Sequence, residues 1–237
     1  MSTFSTYINS KRHGIVVLAL FAVGISLISL LAGPFNLLSH PSDFEGQLLT
    51  YLTYSAGSEG FLVTLAVFTL GMFLTSDRKG HFIKLCVCFG VLLVLCFAGK
   101  TGLKKLTQSP RPYTETLVQL KLVDSAQDFY AHDKYAQNAL VMSAKDEVSP
   151  YRINHWKHET DYSFPSGHTV FVAVCLAFFG GLAAVQKRYT ITGLMLVWAL
   201  GVAYSRLWLG MHRPEDLFGS MAFVALLYLI IPIPKAK

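Results

Sequence analysis

The sequence predicts an all-α protein: a polytopic membrane protein with six transmembrane helices and a partly helical loop region outside the membrane. Three observations carry that prediction. Of 237 residues, 53% are hydrophobic and only 14% charged, where a soluble domain carries about 25% charged residues. Long apolar runs recur along the chain. Basic residues gather at alternate ends of those runs. The net charge of +6 therefore reads as membrane topology rather than as a nucleic-acid surface. Six spans would use most of the length and leave one membrane-embedded domain over 1–237.

The first span covers 14–33, after Lys11 and Arg12. A secretory signal has an apolar core of only about 7–15 residues. A run of about 20 is the length of a spanning helix, so an uncleaved helix is expected. Further spans are expected at 57–75, 82–99, 169–185, 190–205 and 217–234. An even number puts both termini on one side. The pairs Lys11/Arg12, Arg78/Lys79, Lys187/Arg188 and Lys235/Lys237 then all fall on that same side, as the cytoplasm requires. The 34–56 connection holds Asp43 and Glu45 with no Lys or Arg, and lies outside. Two other outer stretches, 100–168 and 206–216, carry basic residues against the rule. A charge that breaks a topological rule is a candidate for chemistry. Within the outer loop region, about 100–165, the segments 114–123 and 128–141 can form short helices. Cys86, Cys88, Cys96 and Cys175 lie inside apolar runs without zinc spacing, and read as packing residues.

Three clusters share the outer face. Lys104 and Arg111 stand seven apart, close to two helical turns, so they can share a face; Pro110 and Pro112 then end the helix. An Arg fork and a Lys point charge can cradle a phosphate, although cations at a span end also snorkel. Next comes Phe164-Pro-Ser-Gly-His168, followed by 17 uncharged residues. Ser166 suits an N-cap. Gly167 admits close backbone approach, and the helix N-terminus beyond is an anion site with His168 in its first turn. The third is Ser205-Arg206 followed by His212 and Asp216. His212 and Asp216 are four apart, so a carboxylate can orient an imidazole. Arg206, at a span end, needs a partner. Pro214 suits the first turn of the last span.

The list is three cations, a helix N-terminus, two histidines and one orienting carboxylate. It suits displacement at phosphorus without a metal, one histidine attacking and the other protonating the leaving alkoxide. Which histidine attacks stays open on these grounds, although the Asp216 link favours His212. There is no P-loop and no Cys-x5-Arg loop. His158-Glu159 lacks the second histidine of a zinc protease.

Together the clusters read Lys-x6-Arg-Pro, Pro-Ser-Gly-His and Ser-Arg-x5-His-x3-Asp, in order. This resembles the signature of the type 2 phosphatidic acid phosphatase (PAP2) superfamily, also found in vanadium haloperoxidases. The resemblance implies His212 as the nucleophile that forms a phosphohistidine, Asp216 as its orienting carboxylate and His168 as the general acid. It implies Lys104, Arg111, Ser166, Gly167 and Arg206 as phosphoryl-binding residues, with no cofactor and no metal. The stretches from Arg152 to Thr160 and from Leu207 to His212 look like the bacterial phosphatidylglycerophosphatase B family. That likeness implies a Gram-negative inner membrane and a site facing the periplasm. It also implies membrane lipid phosphates as partners: phosphatidylglycerol phosphate, phosphatidic acid, diacylglycerol pyrophosphate and undecaprenyl pyrophosphate. Nucleic acid is not among them.

Other readings are a lipid phosphotransferase or lipid A phosphatase of the same superfamily, a lipid transporter that binds anions without chemistry, and an intramembrane serine protease using Ser166. The outer loop is expected to shape access to the site, with Arg152 and His155 nearby.

Overall fold

The computed structural model describes residues 3–74, 79–157 and 159–232. Arg78, His158, Lys235 and Lys237 lie outside the described residues. The described chain is all helical. Helices α1 (Thr3–Ala32), α2 (Asp43–Tyr54), α3 (Phe61–Leu74) and α4 (Lys79–Thr107) come first. Four short helices follow: α5 (Tyr113–Gln119), α6 (Ala126–Ala131), α7 (Lys134–Ser143) and α8 (Pro150–Trp156). Then come α9 (Gly167–Cys175), a π turn (Leu176–Gly180), α10 (Gly181–Val185), α11 (Tyr189–Trp208) and α12 (Pro214–Ile230).

Among the described residues, four stretches are long and apolar enough to cross a membrane: Lys11–Ala32, Phe82–Thr107, Gly167–Val185 and Tyr189–Trp208. They make this a multi-pass membrane protein. The rod Gly167–Val185 is apolar on every side because it stands in the middle of the bundle. It is 83% buried, against 22% for Lys11–Ala32 and 22% for Phe82–Thr107. Helices α1, α4, α11 and α12 pack around it. Their outward faces expose Leu20, Leu27, Val87, Val94, Leu194, Val197 and Leu226, an apolar belt that a soluble surface would not tolerate. Lipid tails are as apolar as this core, so side-chain packing rather than the hydrophobic effect holds the helices together.

The spans differ from expectation at their ends. The second expected span, 57–75, is represented by the 14-residue α3, because Gly57-Ser-Glu-Gly60 breaks the helix on its N-terminal side. The third runs on through Lys100 and Lys104 to Thr107, so the outer region begins about seven residues later than expected. The outer connection 34–56 contains the capped helix α2. Ser42 accepts from Glu45 N and so caps this helix.

The segment after α4 is a cap with a core of its own. Tyr113, Leu117, Phe129, Val141, Ile153 and Trp156 pack together with Trp208, Leu209 and Met211 from the end of α11. Helix α8 was not expected, whereas α5 overlaps the first of the two segments foreseen, 114–123, and α6 and α7 both overlap the second, 128–141. Trp156 donates from Nε1 to Leu209 O at 2.6 Å and stacks on Tyr113 at 4.9 Å. Tyr113 N donates to Gly210 O at 3.0 Å. Gly210 sits at φ +67°, a conformation that favours glycine. The cap thus grips the turn just before His212.

Lys11 is buried at the far end of the bundle. Its ammonium donates to Tyr228 O at 2.5 Å, to Leu229 O at 2.9 Å and to Ile231 O, satisfying the last carbonyls of α12. Lys187 and Arg188 lie in the turn between α10 and α11, at the end of each helix opposite Gly167 and Arg206. These basic residues and the three clusters therefore occupy opposite ends of the bundle.

Candidate active site

The three clusters meet at one end of the bundle. The C-terminal ends of α4 and α11 supply Lys104 and Arg206, and the N-terminal ends of α9 and α12 supply His168 and Asp216. Hydrogen bonds stitch the connecting segments together. Ser163 N donates to Ser109 O at 2.8 Å, Arg213 Nη1 to Pro110 O at 2.7 Å and Ser220 Oγ to Ser166 O at 3.2 Å.

Lys104 and Arg111 come together, but not along one helix face. Helix α4 stops at Thr107, Gln108 adopts φ +45° and the chain doubles back through Pro110. Both cations then reach Asp161: Lys104 Nζ lies 2.9 Å from Oδ2, and Arg111 Nη2 pairs with Oδ1. Arg111 Nη2 is also 3.2 Å from Glu159 Oε2. Arg206 grips Glu159 with Nη2, at 2.9 and 2.7 Å from its two oxygens, while Nη1 donates to Thr53 Oγ1 at 2.9 Å. Arg206 is fully buried, and its Nε–H has no acceptor among the described residues. Burial opposes ionisation of Glu159, but the Arg206 and Arg111 charges hold its carboxyl well below the usual range. Asp161 is likewise lowered to about 2 by Arg111 and Lys104 against the opposing effect of burial. Burial also works against the charge on Arg111, yet Glu159 and Asp161 keep it firmly protonated.

His212 and Asp216 also meet by another route than a shared helix face. His212 lies before α12, in the Arg206–Pro214 connection. Asp216 is the third residue of α12 and turns back to cap it, Oδ2 accepting from Arg213 N at 2.9 Å. The same oxygen lies 3.3 Å from His212 Nδ1 and accepts from Ser163 Oγ. On the other side of the ring, His212 Nε2 is 3.4 Å from Arg111 Nη1. Burial, reinforced by Arg111 and Arg206, pushes the His212 imidazolium well below its ordinary pKa, so the ring is neutral near pH 7.

At the third corner Ser166 caps α9. Its Oγ accepts from Thr169 N at 3.3 Å and from Thr169 Oγ1 at 3.0 Å. Gly167 and His168 follow in the first turn. Gly57 faces the imidazole so closely that a β-carbon there would stand 2.8 Å from His168 Nε2.

A cavity of about 610 Å³ opens onto these groups. Lys104, Arg111, Gly167, His168 and His212 line it, with Glu159, Asp161, Lys100, Phe61 and Phe97. Arg206, Asp216 and Ser166 stand buried behind that lining. Sequence reasoning missed Glu159 and Asp161 as partners of the cations, and Ser163 as a partner of Asp216. Three buried cations in one cluster demand acidic partners, and that was the signal available for the first two. Arg152, expected near the site, is structural. It donates to Leu37 O at 3.0 Å and Ser39 O at 2.6 Å and stacks on Trp208 at 4.5 Å.

Two histidines, a buried carboxylate and three cations thus gather around one cavity at the end of a membrane bundle, a set of groups able to hold and transfer a phosphoryl group. The sequence profile of the PAP2 superfamily matches residues 83–234, and the chain belongs to that superfamily. It is similar to phosphatidylglycerophosphatase B of Haemophilus influenzae, 32% identical over 190 residues, which cover 76% of this chain and 78% of the relative. It is also similar to phosphatidylglycerophosphatase B of Escherichia coli K12, 34% identical over 137 residues, covering 55% of this chain and 54% of the relative.

Proposed function

We propose that this chain is a lipid phosphate phosphatase that hydrolyses phosphatidylglycerol phosphate to phosphatidylglycerol without a metal ion. Undecaprenyl pyrophosphate, phosphatidic acid and diacylglycerol pyrophosphate are further substrates. The observation that carries this reading is the environment of His212. Asp216 and Ser163 engage its Nδ1 edge, while Nε2 looks toward Arg111 beside the cavity.

With Nδ1–H directed at Asp216, Nε2 keeps its lone pair and attacks phosphorus. Phosphohistidine forms as the bond to the leaving alkoxide breaks, and His168 gives that oxygen its proton. Neutral His168 then takes a proton from water. The resulting attack on phosphohistidine releases phosphate and restores both rings. Lys104, Arg111, Arg206 and the N–H groups of the turn at Ser166 and Gly167 hold the non-bridging oxygens, whose charge grows in the transition state. The phosphoryl group competes with Glu159 and Asp161 for these same donors.

The proposed setting is the bacterial inner membrane. Residues 1–237 form one membrane domain of six spans, α3 and α12 completing the four long ones. Both termini are cytoplasmic and the cap and cavity face the periplasm. The relatives' names support the substrate, and the apolar belt supports delivery by lateral diffusion in the bilayer.

Phosphate release by purified protein in detergent with EDTA tests this reading, with phosphatidylglycerol phosphate and undecaprenyl pyrophosphate compared for wild type and His212→Ala. Release by wild type alone is expected. If both folded proteins bind lipid and neither releases phosphate, the site binds anions without chemistry.

A further inference from the structure

Between α2 and α3 the chain turns through Gly57-Ser-Glu-Gly60, where Gly60 N and Phe61 N both donate to Gly57 O, at 3.3 and 2.9 Å. The turn folds the Glu59 side chain back over Gly57, which is buried. A β-carbon on Gly57 would stand 2.8 Å from Glu59 Oε2 and 2.8 Å from His168 Nε2. The two atoms therefore lie within twice that distance of one another, and a glycine keeps the space between them open. Carboxylate and imidazole face each other across it, within reach of one bridging water.

A general acid must carry its proton when the substrate is bound, and the surroundings of His168 work against that. Lys100 and Lys104 of α4 line the same cavity with Arg111, and Arg206 of α11 stands behind it. His155 of α8, His212 and Glu159 complete the titratable groups around the ring. Positive neighbours disfavour an imidazolium and a nearby carboxylate favours it. The two carboxylates on the cap side are already taken: Glu159 is shared by Arg206 and Arg111, and Asp161 by Arg111 and Lys104. Glu59 forms no ion pair with the described residues. Its Oε1 accepts from Ser58 Oγ at 3.0 Å, while Oε2 is the oxygen turned toward the Gly57 gap.

We infer that Glu59 is the positioning residue of the general acid: its carboxylate faces the Nε2 edge of His168 across Gly57 and favours the charged ring that protonates the leaving oxygen. This rests on the phosphatase reading above. In the first displacement the imidazolium gives its proton to the alkoxide and becomes neutral. In the second it takes a proton from the attacking water and is charged again. Glu59 gains and loses no proton in either step and touches no reacting atom; it supplies the negative charge beside the ring.

The test measures kcat/KM against pH, in detergent with EDTA at low ionic strength, where an exposed charge is least screened. Wild type, Glu59→Gln, Glu59→Asp, His168→Ala and the double variant are compared on phosphatidic acid and on p-nitrophenyl phosphate. Without the carboxylate the ring loses its proton at lower pH. The alkaline limb of Glu59→Gln on phosphatidic acid should therefore move down by about half a pH unit or more, a loss of about threefold on that limb. Glu59→Asp should lie nearer wild type. On p-nitrophenyl phosphate, whose leaving group needs no proton, Glu59→Gln should stay within about twofold of wild type, which also shows that it folds. Adding Glu59→Gln to His168→Ala should cost nothing further on phosphatidic acid, because the carboxylate acts through that ring. An unmoved limb, an equal fall on both substrates, or the same loss in the His168→Ala background overturns the inference and leaves the phosphatase reading intact. If wild type releases phosphate from neither substrate, the phosphatase reading fails, and the inference falls with it.

Discussion

At the residue scale, roles separate by the chemistry each side chain is asked to do. A general acid matters in proportion to the basicity of its leaving group, whereas a nucleophile matters always. In kcat/KM, which reports the first displacement alone, His168→Ala should therefore cost about 100-fold or more on a lipid phosphate, yet far less on p-nitrophenyl phosphate, whose leaving group needs no proton. His212→Ala should abolish both activities. Equal losses for the two variants on both substrates would contradict the assignment. The acidic limb of the pH profile is set by the same surroundings. Arg111 lowers the His212 pKa, so Arg111→Ala should move the low-pH limb of kcat/KM upward, measurable with any substrate the variant still turns over. Asp161 and Glu159 look alike in sequence but differ in burial. Asp161 is half exposed at 52%, and Asp161→Asn should be tolerated and tighten inhibition by orthovanadate several-fold, because one competitor for Lys104 and Arg111 is gone. Glu159→Gln strips the fully buried Arg206 of its charge partner and should destabilise the protein by about 3–5 kcal/mol. The linkage sign for Asp161 follows from its lowered pKa: its contribution to stability is present above about pH 4 and lost as pH falls toward about 2. Thermal melts of wild type and Asp161→Asn should therefore converge on acidification.

At the element scale, catalytic geometry depends on how helices end. Gln108 turns α4 off, Ser166 turns α9 on, and Asp216 both caps α12 and holds His212. Gly210 links these ends to the cap. Alanine there meets the left-handed backbone and also Leu37, whose Cδ1 would lie 2.4 Å from the new β-carbon. A loss of about 1–3 kcal/mol is expected, read as a lowered melting temperature with phosphate release falling alongside. These ends mark what the sequence could and could not reveal. Motif spacing brought Lys104, Arg111, His168, Arg206, His212 and Asp216 into one list, and the structure gathers all six. Spacing suggested shared helix faces for Lys104 with Arg111 and for His212 with Asp216. Both pairs are instead formed across a helix end, because proline and a positive φ break the register that a periodicity argument assumes. Ser163 was invisible for a related reason: its contact with Asp216 spans 53 residues and no periodicity relates them.

At the scale of the whole molecule, hydropathy made the membrane character legible, and it placed the cavity end and the Lys11 and Lys187/Arg188 end at opposite poles of the bundle. The cap was less legible, since its core is drawn from four short helices and the end of α11, none of which has a long apolar period. The proposed orientation is tested by a C-terminal reporter. A green fluorescent protein fusion after Lys237 should be bright and an alkaline phosphatase fusion inactive; the reverse pair would turn the molecule over.

The central claim is that phosphate leaves through a phosphohistidine, in two displacements rather than one. The stereochemical course at phosphorus tests it most directly. A lipid phosphorothioate made chiral with oxygen isotopes would be hydrolysed in isotopically distinct water and the product configuration determined. Two in-line displacements, first by His212 and then by water, predict overall retention. Inversion would mean that water attacks the lipid phosphate directly, and His212 would have to be reassigned from nucleophile to base.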